Sequence, residues 1–175
     1  YVPFGARDLV VFSEENILYL DGANKARRLD AKKRKRRPSL GRFKKIEAGD
    51  DGKIRGLSLK GNLYFLQDDN WQSLELKTKV QNFSVASDTI FIVSGGKIEG
   101  LTFSGQKRRV NLYHDILNVR SIDHLTGNSF VLLRDDGQVF VVTSDERKIL
   151  DTEVKNVLFV RKNIIAVRKI SGAII

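Results

Sequence analysis

The sequence predicts an all-β protein of the β-propeller class, and two observations support that prediction. The first is a strand–turn–strand unit that recurs along the chain. Its clearest copy is residues 128–144, where two apolar runs, 130–133 and 139–142, flank the turn Asp135-Asp136-Gly137, as is typical of a β-hairpin. The second is that both runs are continuously apolar, so both faces of each strand are expected to be covered by neighbouring layers.

Similar units occur five times. Their turns are marked by Asn16, Gly61, Gly96, Gly137 and Gly172, which are 45, 35, 41 and 35 residues apart. Between successive hairpins there is room for two further short strands, in which polar and apolar residues alternate as they do in outer strands with one solvated face. Four strands in roughly 35–45 residues, repeated, are typical of propeller blades.

The chain is therefore predicted to be one β-propeller domain over residues 1–175, with about four to five four-stranded blades. A blade covers its inner strands by stacking on the next blade, so an incomplete array leaves apolar faces bare. The sequence also begins Tyr1-Val2-Pro3 and contains no Met. We expect a fragment of a larger ring, completed by further chain or by another protein. A β-sandwich or an irregular barrel of short strands is the alternative fold.

Two of the units resemble the repeat of the regulator of chromosome condensation family of propellers. That repeat has a β-branched residue, an apolar residue, a glycine, a histidine, an apolar strand, an acidic-glycine turn and an apolar-aromatic strand. Leu125 replaces the glycine and Asn128 the histidine, and no unit has the closing Trp-Gly pair. The resemblance implies a propeller fold, and nucleotide exchange on a small GTPase as an alternative function. The matching residues are Val119, Ile122, 130–133 and 136–140 in one unit, and Phe43, Ile46, Gly49 and 61–64 in another.

The excess positive charge lies in one segment. Residues 23–45 contain twelve Lys or Arg and one acid, Asp30, whereas the rest of the chain has 19 basic and 20 acidic residues. Because this segment falls within the longest spacing, it is predicted to be an exposed basic loop inserted into the propeller. Its centre is a run of six consecutive cations, which would lack ion-pair partners if they were buried and are therefore expected to be exposed. They are Lys32, Lys33, Arg34, Lys35, Arg36 and Arg37.

Three interpretations of this run are open. It resembles a nuclear localisation signal, which an import receptor reads as an extended chain. The same side chains suit contacts with the phosphates of DNA or RNA, which add affinity without sequence information. The third interpretation is a solvated loop without a partner. Residues 36–40 also resemble a basophilic kinase site, and a phosphate on Ser39 would add roughly −1.5 to −2 charges among the cations.

Two further places are candidate partner surfaces. Trp71 is the only tryptophan, and lone tryptophans can anchor partners, although packing between blades is the alternative. The second basic cluster, formed by Lys107, Arg108 and Arg109, extends a positive surface or simply protects a strand edge from pairing.

No catalytic, metal or cofactor site is predicted. The two histidines, His114 and His124, lie beside Asp115 and Asp123, but neighbours in a strand point to opposite faces, so both histidines are expected to be structural. Residues 94–97 have two glycines and a lysine, but they lack the glycine spacing of a phosphate loop. With no cysteine, disulfides and thiolate chemistry are excluded.

We therefore expect a non-catalytic interaction scaffold of a nuclear protein, with a cytoplasmic location as the alternative. Its expected partners are other proteins, including the chain that completes the propeller, an import receptor, and nucleic acid or chromatin. No membrane partner is expected, because the longest apolar stretches have four or five residues, far below the roughly 20 needed to span a bilayer. The substrate-recognition propeller of a ubiquitin ligase is a second alternative function.

Overall fold

The structure is a computed structural model that describes residues 8–13, 16–30, 35–36, 41–49, 51–68, 70–86, 88–103, 106–108, 110, 116–161 and 164–175. These residues form eighteen β-strands in four antiparallel sheets of four strands and one pair of strands. The prediction of an all-β chain with four to five such sheets is confirmed. The chain divides into two compact units, Tyr1–Val80 and Gln81–Ile175, which are described separately.

The first unit contains two sheets in which the strands follow chain order. The strands of the first sheet are β1 (Asp8–Ser13), β2 (Asn16–Leu20), β3 (Ala26–Asp30) and β4 (Lys35–Arg36). The strands of the second sheet are β5 (Phe43–Ala48), β6 (Ile54–Ser58), β7 (Leu63–Gln67) and β8 (Asn70–Leu74).

The second unit contains two more four-stranded sheets and one pair of strands. The first of these sheets consists of β9 (Asn82–Ala86), β10 (Thr89–Ser94), β11 (Lys97–Thr102) and β12 (Lys107–Arg108). The next consists of β13 (Val119–Thr126), β14 (Ser129–Arg134), β15 (Val139–Val142) and β16 (Arg147–Asp151). The pair is β17 (Val154–Arg161) with β18 (Ile164–Lys169).

The hairpin at residues 128–144 has the role that its apolar runs predict. Its strands β14 and β15 are the two central strands of their sheet, and Phe130, Val131, Leu132 and Val139 are fully buried. By contrast, the outer strand β16 is exposed along almost its whole length. The central strands are therefore covered on both faces, as continuous apolar character requires.

A common hydrogen bond closes the turn between the second and third strands in each of the four-stranded sheets, and in three of them the turn residue is a glycine. Gly61, Gly96 and Gly137 adopt the left-handed backbone conformation, with φ of 79°, 76° and 83°, which glycine reaches without steric cost. The carbonyl of each glycine accepts a hydrogen bond from the chain segment that follows the sheet. The donors are the N–H groups of Val80, Ile116 and Val154, respectively, at 2.9–3.1 Å. The turn between the second and third strands thus fixes the path of the chain toward the next sheet.

Each unit has its own apolar core. The apolar positions that the repeat pattern singled out, Phe43 and Ile46 in the first unit and Val119 and Ile122 in the second, are all buried. The first core consists of Val10, Leu18, Leu20, Ala26, Phe43, Ile46, Ile54 and Leu66. The larger core cluster of the second unit contains Phe91, Val93, Ile98, Ile116, Val119, Ile122, Phe130, Leu132, Phe140 and Val142.

The structure corrects the prediction of an inserted basic loop at residues 23–45. This segment contains β3 and β4, the third and fourth strands of the first sheet, and Ala26 and Leu29 of β3 are buried. The prediction was wrong because Asn16 begins the second strand, whereas the residue equivalent to Gly61 is Asn24, which has a φ of 61° and whose carbonyl accepts the N–H of Phe43 at 2.8 Å. The first repeat, from Asn24 to Gly61, then has an ordinary length of 37 residues.

Candidate functional site

The predicted cationic run lies partly in a strand. Lys35 and Arg36 form β4, which pairs with β3 so that Arg36 is opposite Leu29 and Lys35 opposite Asp30. Lys32, Lys33, Arg34, Arg37 and Ser39 lie outside the described residues.

The other predicted partner surfaces have different environments. Trp71 lies in β8 and packs on Phe43 of the same sheet, with ring centroids 4.1 Å apart, so it adjoins the core of the first unit. Lys107 is 78% exposed, and its Nζ lies 3.3 Å from Glu99 Oε2. Arg108 pairs with Gly100 as the last residue of β12, and Arg109 lies outside the described residues.

His124 is held in an aromatic cluster. Its ring stacks on Phe91 with centroids 5.1 Å apart and an interplanar angle of 3°, and it meets Phe130 edge-on. Its Nε2 lies 2.9 Å from the carbonyl oxygen of Gly127. These contacts give His124 a structural role, whereas His114 lies outside the described residues. Within the described part of the chain, no three His, Cys, Asp or Glu residues form a group that could hold a metal ion, and no helix could cross a membrane.

The carboxylate of Asp21 organises the turn that precedes β3. Its Oδ1 accepts the backbone N–H groups of Ala23 and Lys25 at 2.9 and 3.0 Å, and its Oδ2 accepts the Nε–H of Arg27 at 2.7 Å. The hydrogen bond from Arg27 is the main cause that lowers the pKa of Asp21 below its ordinary value, and the two backbone N–H groups add to it. This turn directs the chain back along β2 as β3.

The beginning of β3 has a second partner, which brings two cations together. Lys25 and Arg42 form an antiparallel bridge, supported by hydrogen bonds from Ala26 N–H to the Gly41 carbonyl and from Phe43 N–H to the Asn24 carbonyl, both at 2.8 Å. The outer side of β3 is thus bordered by Arg42 at one end and by Lys35 and Arg36 at the other. We call Lys25, Lys35, Arg36 and Arg42 the basic edge.

The basic edge is suited to binding anions. Cations held at neighbouring backbone positions attract phosphates or carboxylates, and phosphate contacts of this kind are the main source of affinity for nucleic acids. The edge brings together no nucleophile and base. The sequence pattern identified the cations at 35 and 36, but it missed the pairing of Lys25 with Arg42.

Comparison with known proteins identifies the fold. The chain aligns over 98% of its length with a streptogramin B lyase, at 13% identity and a TM-score of 0.63. A virginiamycin B lyase from Staphylococcus aureus aligns over the same share at 13% identity and a TM-score of 0.65. BBS1N, in complex with ARL6DN, aligns over 95% of the chain at 15% identity and a TM-score of 0.64. The fold is a β-propeller.

The likeness to these propellers concerns the fold alone, because the identities are low. The chain spans about two thirds of the length of these structures, namely 67%, 69% and 62%. No protein-family model and no curated protein sequence matches the chain. The resemblance to the regulator of chromosome condensation family therefore stays a prediction.

Proposed function

We propose that this propeller is a non-catalytic interaction scaffold of a nuclear protein, and that residues 23–45 bind its anionic partners. The observation that supports the proposal is the concentration of charge: twelve basic residues fall in this segment, and four of them form the basic edge of one sheet. The rest of the sequence is nearly neutral. A surface of this kind attracts anionic partners over long distances and raises the rate of encounter.

The mechanism is rigid display. Strand pairing holds the backbone of the basic edge at both ends of β3, so little conformational entropy remains to be lost there when a partner binds. The predicted partners are an import receptor, which would read the run from Lys32 to Arg37, and nucleic acid or chromatin, whose phosphates the same cations would contact.

Nuclear import is tested with the chain fused to two copies of a fluorescent protein, so that passive diffusion into the nucleus is slow. Replacing Lys33, Arg34, Lys35 and Arg36 by glutamine is expected to move the fusion into the cytoplasm. In the control, glutamine replaces the exposed residues Lys60, Lys77, Lys97 and Lys148, which removes the same charge elsewhere. Equal nuclear accumulation of both variants and the wild type would refute the import role.

Nucleic-acid contact is tested by titrating a fluorescent DNA duplex with the same three proteins at several salt concentrations. Each phosphate that a removed cation no longer neutralises should reduce the slope of log K against log[salt] by about 0.9. Failure of the wild-type chain to bind the duplex would exclude this partner and leave the import role to be judged separately.

A second candidate function is the binding of a small GTPase, with nucleotide exchange as its consequence. It is supported by the structure of BBS1N in complex with ARL6DN, a propeller that binds a small GTPase, and by the resemblance to the regulator of chromosome condensation family. A nucleotide-release assay with ARL6 and other small GTPases tests it. Unchanged release rates, together with no binding on a GTPase-coated sensor, would exclude it.

A further inference from the structure

Lys25 and Arg42 form the closest type of pair that an antiparallel sheet offers. The two flanking hydrogen bonds, both 2.8 Å long, join the neighbouring residues and not the pair itself. At such a non-hydrogen-bonded position the Cα atoms lie about 4.5 Å apart, and both side chains leave the same face of the sheet. Two positive charges are therefore anchored at one point of the basic edge.

Within the described residues, neither of these two cations has an ion pair. The acid of the adjacent turn, Asp21, directs Oδ2 to Arg27 and Oδ1 to backbone N–H groups. Other cations of the first unit do have acidic partners, since Lys45 Nζ lies 3.0 Å from Glu47 Oε2 and Arg55 Nη1 lies 2.6 Å from Asp51 Oδ1. Like charges directly opposite each other destabilise a sheet, and a bound anion would offset the repulsion between them.

We propose that the Lys25–Arg42 pair binds the phosphomonoester of a phosphorylated serine or threonine on a partner protein. This group carries about −1.5 to −2 charges at neutral pH and has three acceptor oxygens, so it compensates both cations at once. The guanidinium of Arg42 can donate two parallel hydrogen bonds to phosphate oxygens, while the ammonium of Lys25 acts as a point charge.

Charge matching favours this ligand over the alternatives. One carboxylate or one nucleic-acid phosphodiester carries a single negative charge, so two such groups would be needed to compensate both cations. The backbone supplies one more donor, because the N–H of a residue at this kind of position points away from the paired strand, and that of Arg42 donates to no group among the described residues. The site is separate from the run at 32–37 and does not depend on the import or nucleic-acid role proposed for that run.

The test uses O-phospho-L-serine as the probe and the 175-residue chain, observed through the backbone amide signals of residues 24–26 and 41–43 in NMR spectra. The probe is expected to shift these signals. The double variant Lys25→Gln/Arg42→Gln should bind at least about tenfold more weakly, because it removes both charge-assisted contacts. The control Lys60→Gln/Lys77→Gln, which removes two exposed lysines of the same unit, should bind as the wild type does.

A second variant separates binding from folding. Exchanging the two residues in Lys25→Arg/Arg42→Lys keeps both charges, so it should retain most of the affinity that the glutamine variant loses. Unchanged amide spectra elsewhere in the first unit show that each variant is folded.

The pH dependence distinguishes a monoester from a diester. The second pKa of the phosphomonoester is about 6, so at about pH 5 only about one tenth of the probe is dianionic, and its apparent affinity should be about tenfold lower than at about pH 7.5. The charged side chains of the adjacent turn, Asp21 and Arg27, keep their charges over this range, because their contact lowers the pKa of Asp21. Dimethyl phosphate should bind more weakly and without this dependence.

Three results would overturn the proposal. They are equal affinity of the wild type and Lys25→Gln/Arg42→Gln, equal affinity of the probe at both pH values, and tighter binding of dimethyl phosphate or of a DNA duplex at this pair than of the monoester. The last result would assign the pair to nucleic acid. If the chain does not bind DNA at all, the nucleic-acid role is excluded, but the binding of the monoester at this pair is unaffected.

Discussion

Gly56 lies beneath two aromatic rings, and the packing there predicts the effect of a single added methyl group. In β6, Gly56 is paired with Ile46 on one side and Tyr64 on the other. A Cβ atom built on it would lie 2.7 Å from Cδ1 of Phe43 and 2.9 Å from Cη2 of Trp71. Because the Phe43 ring also meets Tyr64 edge-on at 5.9 Å, neither ring can give way without disturbing its packing. Gly56→Ala is therefore expected to destabilise the first unit.

The magnitude is the balance of two opposing effects. Forcing an extra carbon into a packed core costs typically about 1–3 kcal/mol. Replacing glycine by alanine inside a strand returns about 0.5–1 kcal/mol, because the unfolded chain loses less conformational entropy on folding. The net loss in the free energy of unfolding should be about 1–2 kcal/mol, which lowers the urea midpoint by roughly 0.5–1 M for an m-value of about 2 kcal/mol/M.

The assay uses the fluorescence of Trp71, the only tryptophan of the chain, during unfolding in urea. A double-mutant cycle with Phe43→Leu isolates the cause, since Gly56→Ala should cost at least about 0.5 kcal/mol less when the ring is absent. A midpoint that rises in Gly56→Ala, or an equal cost in both backgrounds, would refute the reasoning.

Three further outcomes follow from charged side chains. Asp51→Asn removes the carboxylate to which Nη1 and Nη2 of buried Arg55 donate hydrogen bonds of 2.6 and 2.7 Å. It should therefore lower the free energy of unfolding in urea by roughly 3 kcal/mol. A decrease below about 1 kcal/mol would contradict this. Because Arg55 lowers the pKa of Asp51, the stability from this pair is present above the ordinary carboxyl pKa of about 4 and is lost as the pH falls through the lower folded-state pKa. Acid should therefore destabilise the wild type more than Asp51→Asn. Arg120→Ala removes hydrogen bonds of 3.2 and 2.8 Å to two β17 carbonyls. It should lower the free energy of unfolding by about 1 kcal/mol and speed hydrogen exchange in β17. Unchanged exchange would show that Arg120 does not hold β17 in place.

The sequence was sufficient to predict the repeated sheets because their inner strands carry a local pattern. Phe130 to Leu133 and Val139 to Val142 are continuously apolar, and the structure buries them at the centre of a sheet. The error at the first repeat has an equally local cause. Residues 8–20 also have the pattern of a hairpin, but they are the first two strands of their sheet. The position equivalent to Gly137 is Asn24, which adopts the same left-handed conformation, so the glycine that marks the other turns is replaced by asparagine in the first sheet.

The paired cations of the basic edge could not be predicted in the same way. Lys25 and Arg42 are distant in the sequence, and their meeting depends on the register between β3 and the segment before β5. Register is set by the burial of Ala26 and Phe43 beside them, which is a property of the folded core and not of the local pattern. The packing of Trp71 on Phe43 is of the same long-range kind.

The central claim is that residues 23–45 are the functional surface of this propeller, and salt-dependent binding to a DNA duplex tests it most directly. We expect that replacing Lys33, Arg34, Lys35 and Arg36 by glutamine lowers both the affinity and the slope of log K against log[salt], by up to about 0.9 for each phosphate that is no longer neutralised. The control with glutamine at Lys60, Lys77, Lys97 and Lys148 should keep the wild-type slope. Equal decreases in the two variants would show that only net charge matters and would contradict the claim.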